Sequence, residues 1–246
     1  MLAESLALLS FIFMLLYVLT KKRSLATVSW FTLSLACISN ITVFLAVEDY
    51  FNAVVFLIGS IIFILIPLNV KKDYVLFQTT RFSALALATY LPFAVTSFGN
   101  SLIEITTFLT AFFGKTLGYE MVVVDHVIIL NGKYIEIILA CTAIESIALF
   151  TGATLGVEAK ATKKLLAFAV SVPVIYFLNI LRNVFVIVSY AYLIFGEDSF
   201  YIAHHVISKI LATFALFLIA YIVFKILPEL FDLISSLLSE VFGGKR

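Results

Sequence analysis

One stretch of this sequence, Ala140-Cys141-Thr142-Ala143-Ile144-Glu145-Ser146, sets a thiol, a carboxylate and two hydroxyls inside otherwise apolar surroundings. A cysteine attacks carbonyl carbon only as its thiolate, and the thiolate needs a nearby cation or proton acceptor. Both kinds of group occur downstream. Arg182 lies in Asn179-Ile-Leu-Arg182-Asn183, with Asn179 three residues earlier on the same helical face. His204 and His205 follow Ala203 and are two of the three histidines in the chain; the third, His126, is a minor candidate. Imidazole can take the thiol proton, and a guanidinium can stabilise the negative oxygen formed when sulfur adds to a peptide carbonyl. The chemistry in view is acyl transfer. Each residue also has an ordinary alternative: a buried cysteine is usually a small hydrophobe, as we read Cys37, and an arginine at a span end commonly snorkels. Glu145, four residues after Cys141, would oppose thiolate formation if set against the sulfur, so it is expected to face Arg182 instead.

These residues must be positioned by membrane helices. Of 246 residues 63% are hydrophobic and only 13% are charged, which no water-soluble core requires. Apolar blocks of about 20 residues, the length that crosses a hydrocarbon layer, alternate with short charged clusters. They predict an all-α polytopic membrane protein with seven transmembrane helices, at about 2–20, 25–47, 51–70, 82–99, 137–156, 165–186 and 205–227. Lysine and arginine gather at alternate junctions: Lys21-Lys22-Arg23, Lys71-Lys72 with Arg81, Lys160 to Lys164, and Lys225 onward. With Lys245 and Arg246 these clusters hold 12 of the 16 basic residues, a bias that marks the cytoplasmic side. The N-terminus is therefore expected outside and the C-terminus inside. Positive charge follows the first apolar block, the reverse of a secretory signal, so that block reads as a retained span. On this division Cys141, Arg182 and the histidine pair share one depth at the outer rim.

Two regions depart from plain hydropathy. Residues 100–136 are expected to form an extracytoplasmic cap: a surface helix over 101–116, then a β-hairpin whose turn is Asn131-Gly132. Residues 228–246 predict a cytoplasmic amphipathic helix after Pro228, with Leu230, Leu233, Ile234, Leu237, Leu238 and Val241 on one face. The whole of 1–246 reads as one integral membrane domain. A net charge of +1 gives no support for nucleic-acid binding, and two cysteines do not make a disulfide framework.

The three short motifs resemble the exosortase/archaeosortase family of membrane transpeptidases in their order, spacing and membrane placement. The matching pieces are Ala140 to Ser146, Asn179 to Asn183, and Ala203-His204-His205-Val206-Ile207, and the likeness covers about residues 85–225. The resemblance implies Cys141 as nucleophile with Arg182 and His204 as its catalytic partners, and Asn179, Glu145, His205 and His126 in support. It implies an exported substrate bearing a C-terminal sorting signal, a thioester intermediate, and an amine-bearing acceptor such as a lipid. No metal or organic cofactor is implied, and an archaeal member is favoured by the short chain. Two positions depart from the pattern, Ala143 and Ser208, where glycine is common. The competing reading is a transporter or solute-binding membrane protein using Arg182 and Glu145 to hold an anionic or zwitterionic solute. A structural assembly protein is a third, and a rhomboid-like serine protease is disfavoured because no Gly-x-Ser-x-Gly occurs.

Overall fold

The computed structural model describes residues 2–243. Its helices are α1 (Leu2–Thr20), α2 (Arg23–Ala46), α3 (Tyr50–Asn69), α4 (Asp73–Val95), α5 (Phe98–Thr116), α6 (Ile144–Gly156), α7 (Ala161–Ala191), the single turn α8 (Ser199–Tyr201), α9 (Ser208–Ile226) and α10 (Pro228–Phe242). Between α5 and α6 run three strands, β1 (Val122–Val124), β2 (Val127–Leu130) and β3 (Lys133–Glu136), followed by a 3-10 turn at Leu139–Cys141.

The expectation of seven transmembrane helices is corrected. Among the described residues five helices are long and apolar enough to cross a membrane: α1, α2, α3, α7 and the continuous stretch Gly196–Ile226. A sixth arises only if α4 and α5, bent by 86°, count together as one span. The hydropathy block at 137–156 misleads because its first residues are not helical. The chain passes from β3 through the 3-10 turn and a left-handed Ala143 (φ 58°), leaving α6 with 13 residues. At 1.5 Å per residue that is about 20 Å, short of a hydrocarbon core.

The single β-hairpin is likewise corrected, to an open three-stranded antiparallel sheet in the order β1-β2-β3. Asn131-Gly132 makes the β2–β3 turn with φ 49° and 72°, as a two-residue hairpin turn requires. A second turn, at Asp125 (φ 53°) and His126, folds the expected first arm back on itself, pairing Val124 with Val127. Aspartate tolerates the left-handed region better than most residues, which makes this turn possible without glycine.

The chain divides into two compact units. The first comprises Met1–Leu91, Ala148–Leu165 and Leu227–Arg246. Within it α1 packs on α2 and α2 on α3. Lipid tails give apolar side chains no reason to prefer protein, so buried hydroxyls and close backbone approach hold such helices together. Ser10 donates to the Ser29 carbonyl at 2.8 Å, Ser34 to that of Ser60 at 2.9 Å, and the Trp30 indole to Thr80 Oγ1 at 3.0 Å. Gly152 and Gly156, one helical turn apart on α6, meet α4 directly. A Cβ on Gly152 would lie 2.6 Å from the Phe82 carbonyl oxygen, and one on Gly156 would lie 2.7 Å from Phe82 Cα.

Helix α10 buries Leu230, Leu233 and Val241 and is pinned at both ends by carboxylates. Glu229 pairs with Lys163 at 2.9 Å. Glu240 accepts from the main-chain N–H groups of Lys71 (2.7 Å) and Lys72 (3.1 Å), where the chain leaves α3. Asn69 Nδ2 adds a bond to the Val241 carbonyl at 3.0 Å.

The second unit, Pro92–Ile147 with Leu166–Ile226, has its own apolar cluster. Ala111 of α5, Met121, Ile128, Leu130 and Ile137 of the sheet segment, and Val184, Ile187, Val188 and Ala191 of α7 form it, and Cys141 packs against it. Asn131 Nδ2 ties the β2–β3 turn to the Ala191 carbonyl at 2.9 Å.

Two outcomes follow for the first unit. Gly152→Leu forces α6 off backbone that cannot yield and should cost about 1–3 kcal/mol of stability in detergent; Gly59→Ala, which meets nothing within 4 Å, should be tolerated. For α10, the Lys163 contact holds Glu229 below the usual carboxylate range. Burial raises Glu240, but the Lys72 and Lys71 donors outweigh it and the net shift is also downward. A depressed folded value means the anchoring is present above the ordinary carboxylate range and is lost as pH falls through the depressed values. Hydrogen-exchange protection across Pro228–Phe242 should therefore be intact at neutral pH and disappear in acid before the span helices lose theirs.

Candidate functional site

The thiol-bearing residue is placed by a break in the helix, not by a helix. Cys141 N–H bonds the Ile138 carbonyl at 2.8 Å, and both the N–H and the hydroxyl of Thr142 bond the Leu139 carbonyl, at 3.0 and 2.7 Å. Ala143 then takes φ 58° before α6 begins. A left-handed residue with a Cβ costs about 1–2 kcal/mol, the physical reason a glycine suits this position.

That break leaves the Cys141 carbonyl outside the helical ladder, where a buried acceptor must find another donor. Two carboxamides on α7 supply it: Asn179 Nδ2 at 2.7 Å and Asn183 Nδ2 at 3.0 Å. Four residues apart, they stack on one face of α7, and both side chains are buried. Asn183 was present in the motif but carried no role in the sequence reading. Its position at i+4 from Asn179 was the available signal, but its use depends on the Ala143 break, which sequence does not display.

Arg182 lies between the two asparagines in sequence, within coulombic reach of the Cys141 sulfur. It lines a cavity of about 530 Å³ between α6, α7 and α9, together with Glu145, Ser146 and Asn179. Ala140 and Ala143, on either side of Cys141 in the chain, belong to the same wall, and Leu178, Leu216 and Ile219 make much of the remainder apolar. Glu145 and Arg182 share this cavity but form no ion pair with each other.

The histidine pair sits in a π-helical segment, Ile202–Ile207, that leads into α9. The His204 ring stacks on Phe200 (centroids 5.2 Å, planes 7° apart) and meets His205 edge-on at 4.5 Å. His205 stacks on Tyr201 at 5.4 Å, and Phe200 packs edge-on to Tyr190 of α7 at 5.5 Å. Lys133 of β3 lies 5.2 Å over the Tyr190 ring. The imidazoles thus belong to an aromatic cluster and not to the cavity lining. His126 stands in the β1–β2 turn, its carbonyl accepting from Ile137 N–H at 2.8 Å, with an enclosed Nδ1 that has no hydrogen-bond partner. The geometry therefore joins Cys141 to Asn179 and Asn183, places Arg182 and Glu145 on one cavity, and sets the histidines in ring and turn structures outside its lining. Among the described residues no group of three or more histidine, cysteine, aspartate and glutamate side chains is arranged to hold a metal.

Comparison with known proteins gives a consistent picture. The family model described as transmembrane exosortase matches residues 3–223. Archaeosortase A of Haloferax volcanii is 33% identical over 207 residues, covering 69% of this chain and 68% of that protein. Archaeosortase A of Natronomonas pharaonis is 30% identical over 129 residues, covering 45% of this chain and 41% of that protein. No solved structure matches. Since the family match runs through the turn bearing Cys141, the asparagine clamp and the π-helical histidines, this chain belongs to the transmembrane exosortase family, the exosortase/archaeosortase group of membrane proteins associated with protein sorting.

Proposed function

We propose that this chain is a membrane-embedded cysteine transpeptidase that cleaves a C-terminal sorting signal from exported proteins and passes the new C-terminus to an amine-bearing acceptor, such as a lipid. The observation that carries the reading is the double carboxamide clamp on the Cys141 carbonyl with Arg182 between the clamping residues. A nucleophile held at its main chain by two buried donors keeps its orientation while sulfur bonds form and break.

In this reading His204 takes the Cys141 proton, and the thiolate adds to the carbonyl carbon of the scissile peptide bond. The electron pair moves to oxygen, and Arg182 stabilises that oxyanion. Collapse breaks the C–N bond, with the proton returning from His204 to the departing amine. A thioester remains on Cys141. An amine then attacks it, the C–S bond breaks, and a new amide links substrate to acceptor. His205 and the aromatic cluster hold the His204 ring, and His126 is the reserve base. The lysine and arginine bias of the junctions supports an extracytoplasmic site in the cell membrane, with the N-terminus outside and the C-terminus inside. The transporter reading loses ground because the cavity wall beyond Glu145, Arg182 and Lys209 is chiefly apolar.

Two experiments test this. Cys141→Ala, expressed at the level of the unaltered protein, should leave a signal-bearing substrate as uncleaved precursor, and no thioester should be trapped on it; normal processing would remove Cys141 as nucleophile. Asn183→Leu removes one donor while Asn179 still serves the carbonyl, so it should lower the rate of thioester formation by about tenfold with substrate binding little changed. Asn179→Leu together with Asn183→Leu leaves a buried acceptor unmet and should abolish it. A double variant acylated as fast as wild type would dismiss the clamp as a catalytic support.

A further inference from the structure

We propose that the open edge of β3 is where the substrate's peptide docks: an extended segment adjoining the scissile bond adds to the sheet as a fourth strand and is thereby delivered to Cys141. This rests on the transpeptidase reading above and assigns the surface that reads the substrate's main chain.

The register decides which groups are free for this. The two-residue turn at Asn131-Gly132 makes Leu130 and Lys133 a hydrogen-bonded pair, and bonded pairs alternate with non-bonded ones along an antiparallel ladder. Lys133 and Ile135 therefore turn their main-chain groups toward β2, and Ile137 continues that side by donating to the His126 carbonyl at 2.8 Å. Tyr134 and Glu136 turn theirs outward. No described group of the protein bonds these N–H and C=O groups. Hydrocarbon cannot satisfy them either, so they are met by water or by another backbone.

The next outward position on the same edge is Ile138. Its carbonyl accepts the Cys141 N–H at 2.8 Å, so the edge that presents Tyr134 and Glu136 runs straight into the turn carrying the thiol. A strand bonded to those two residues reaches that turn one pair further on. Outward rungs recur every second residue, about 6.6 Å apart at 3.3 Å per residue, the repeat of an extended peptide and not of a helix or a lipid headgroup. The sheet's other edge is a poorer seat. By the same alternation β1 turns out only Val123, and its chain leads back to α5 and away from Cys141. Pairing through the main chain sets the depth at which the scissile carbonyl arrives and leaves the choice of side chains to other contacts.

Proline lacks the N–H, and at an outward position it spares the ladder with β2. The test uses the full chain in lipid nanodiscs and a synthetic peptide spanning the bond that the unaltered protein cleaves in a signal-bearing substrate. Tyr134→Pro with Glu136→Pro should raise KM at least about tenfold and change kcat less than about threefold. Alkylation of Cys141 by iodoacetamide, followed by peptide mass, should keep the rate of the unaltered protein. Tyr134→Ala with Glu136→Ala keeps both donors, and Val123→Pro alters only the far edge, so each should raise KM less than about threefold. Where the proline variant does not fold or alkylates at a different rate, the unaltered protein is read with peptides N-methylated at one residue at a time. Losses of at least about fivefold should then recur at every second residue on one side of the scissile bond. A KM unchanged by the prolines, an equal loss with the alanines, or N-methyl losses without that alternation would overturn the docking while leaving the transpeptidase reading intact. Prolines that dissociate an oligomer and leave KM unchanged would assign the edge to a second copy of the chain and likewise overturn it. Absence of any thioester on the unaltered protein would overturn both.

Discussion

The site depends on one unsatisfied carbonyl. Once Ala143 adopts its left-handed conformation, α6 cannot extend backward to include Cys141, and the main-chain oxygen of that residue loses its helical donor. Asn179 and Asn183 of α7 replace it. Without the break, Cys141 would be an ordinary helical residue whose side chain direction followed the helix. With the break but without the asparagines, a buried acceptor would stand unmet, at a cost of about 1–3 kcal/mol. Thiol placement, the short α6 and the polar face of α7 are therefore parts of one solution.

The surrounding elements can be understood as support for that turn. The three-stranded sheet delivers Ile137 and Cys141 to the cluster that α5 and α7 complete, and Asn131 fastens its far turn to the end of α7. Gly114 keeps α5 close: a Cβ there would lie 2.3 Å from Met121 Sδ. The aromatic series from Tyr190 through Phe200 to His204 sets the imidazole by ring packing.

Much of this was legible in the sequence, for reasons that differ by element. Family membership rests on short motifs whose order survives translation into three dimensions. The helical character of α5, the Asn131-Gly132 turn and α10 follow from local signals, namely helical apolar spacing, a two-residue turn with left-handed backbone, and proline at a helix start. The number of spans was not legible, because hydropathy measures composition and cannot tell a helix from the strand, 3-10 turn and left-handed residue that precede Ile144. The role of Asn183 was hidden for the same reason. Its partner is a main-chain atom, and every residue has one; only the conformation at Ala143 makes that of Cys141 needy. The stacking of His204 on Phe200 depends on the π-helical segment, which has no sequence signature.

That segment bears on how the protein can change over generations. A π-helical stretch is one residue richer than the α-helix that would replace it. Loss of a single residue from Ile202–Ile207 would let the α-helical hydrogen-bond ladder heal while the flanking turns keep their register. The residues of the stretch itself, His204 among them, would be re-aimed although the codons of Cys141 and Arg182 stayed untouched. In this stretch substitutions of one apolar residue by another are mild, whereas a change in length by a single amino acid is a switch.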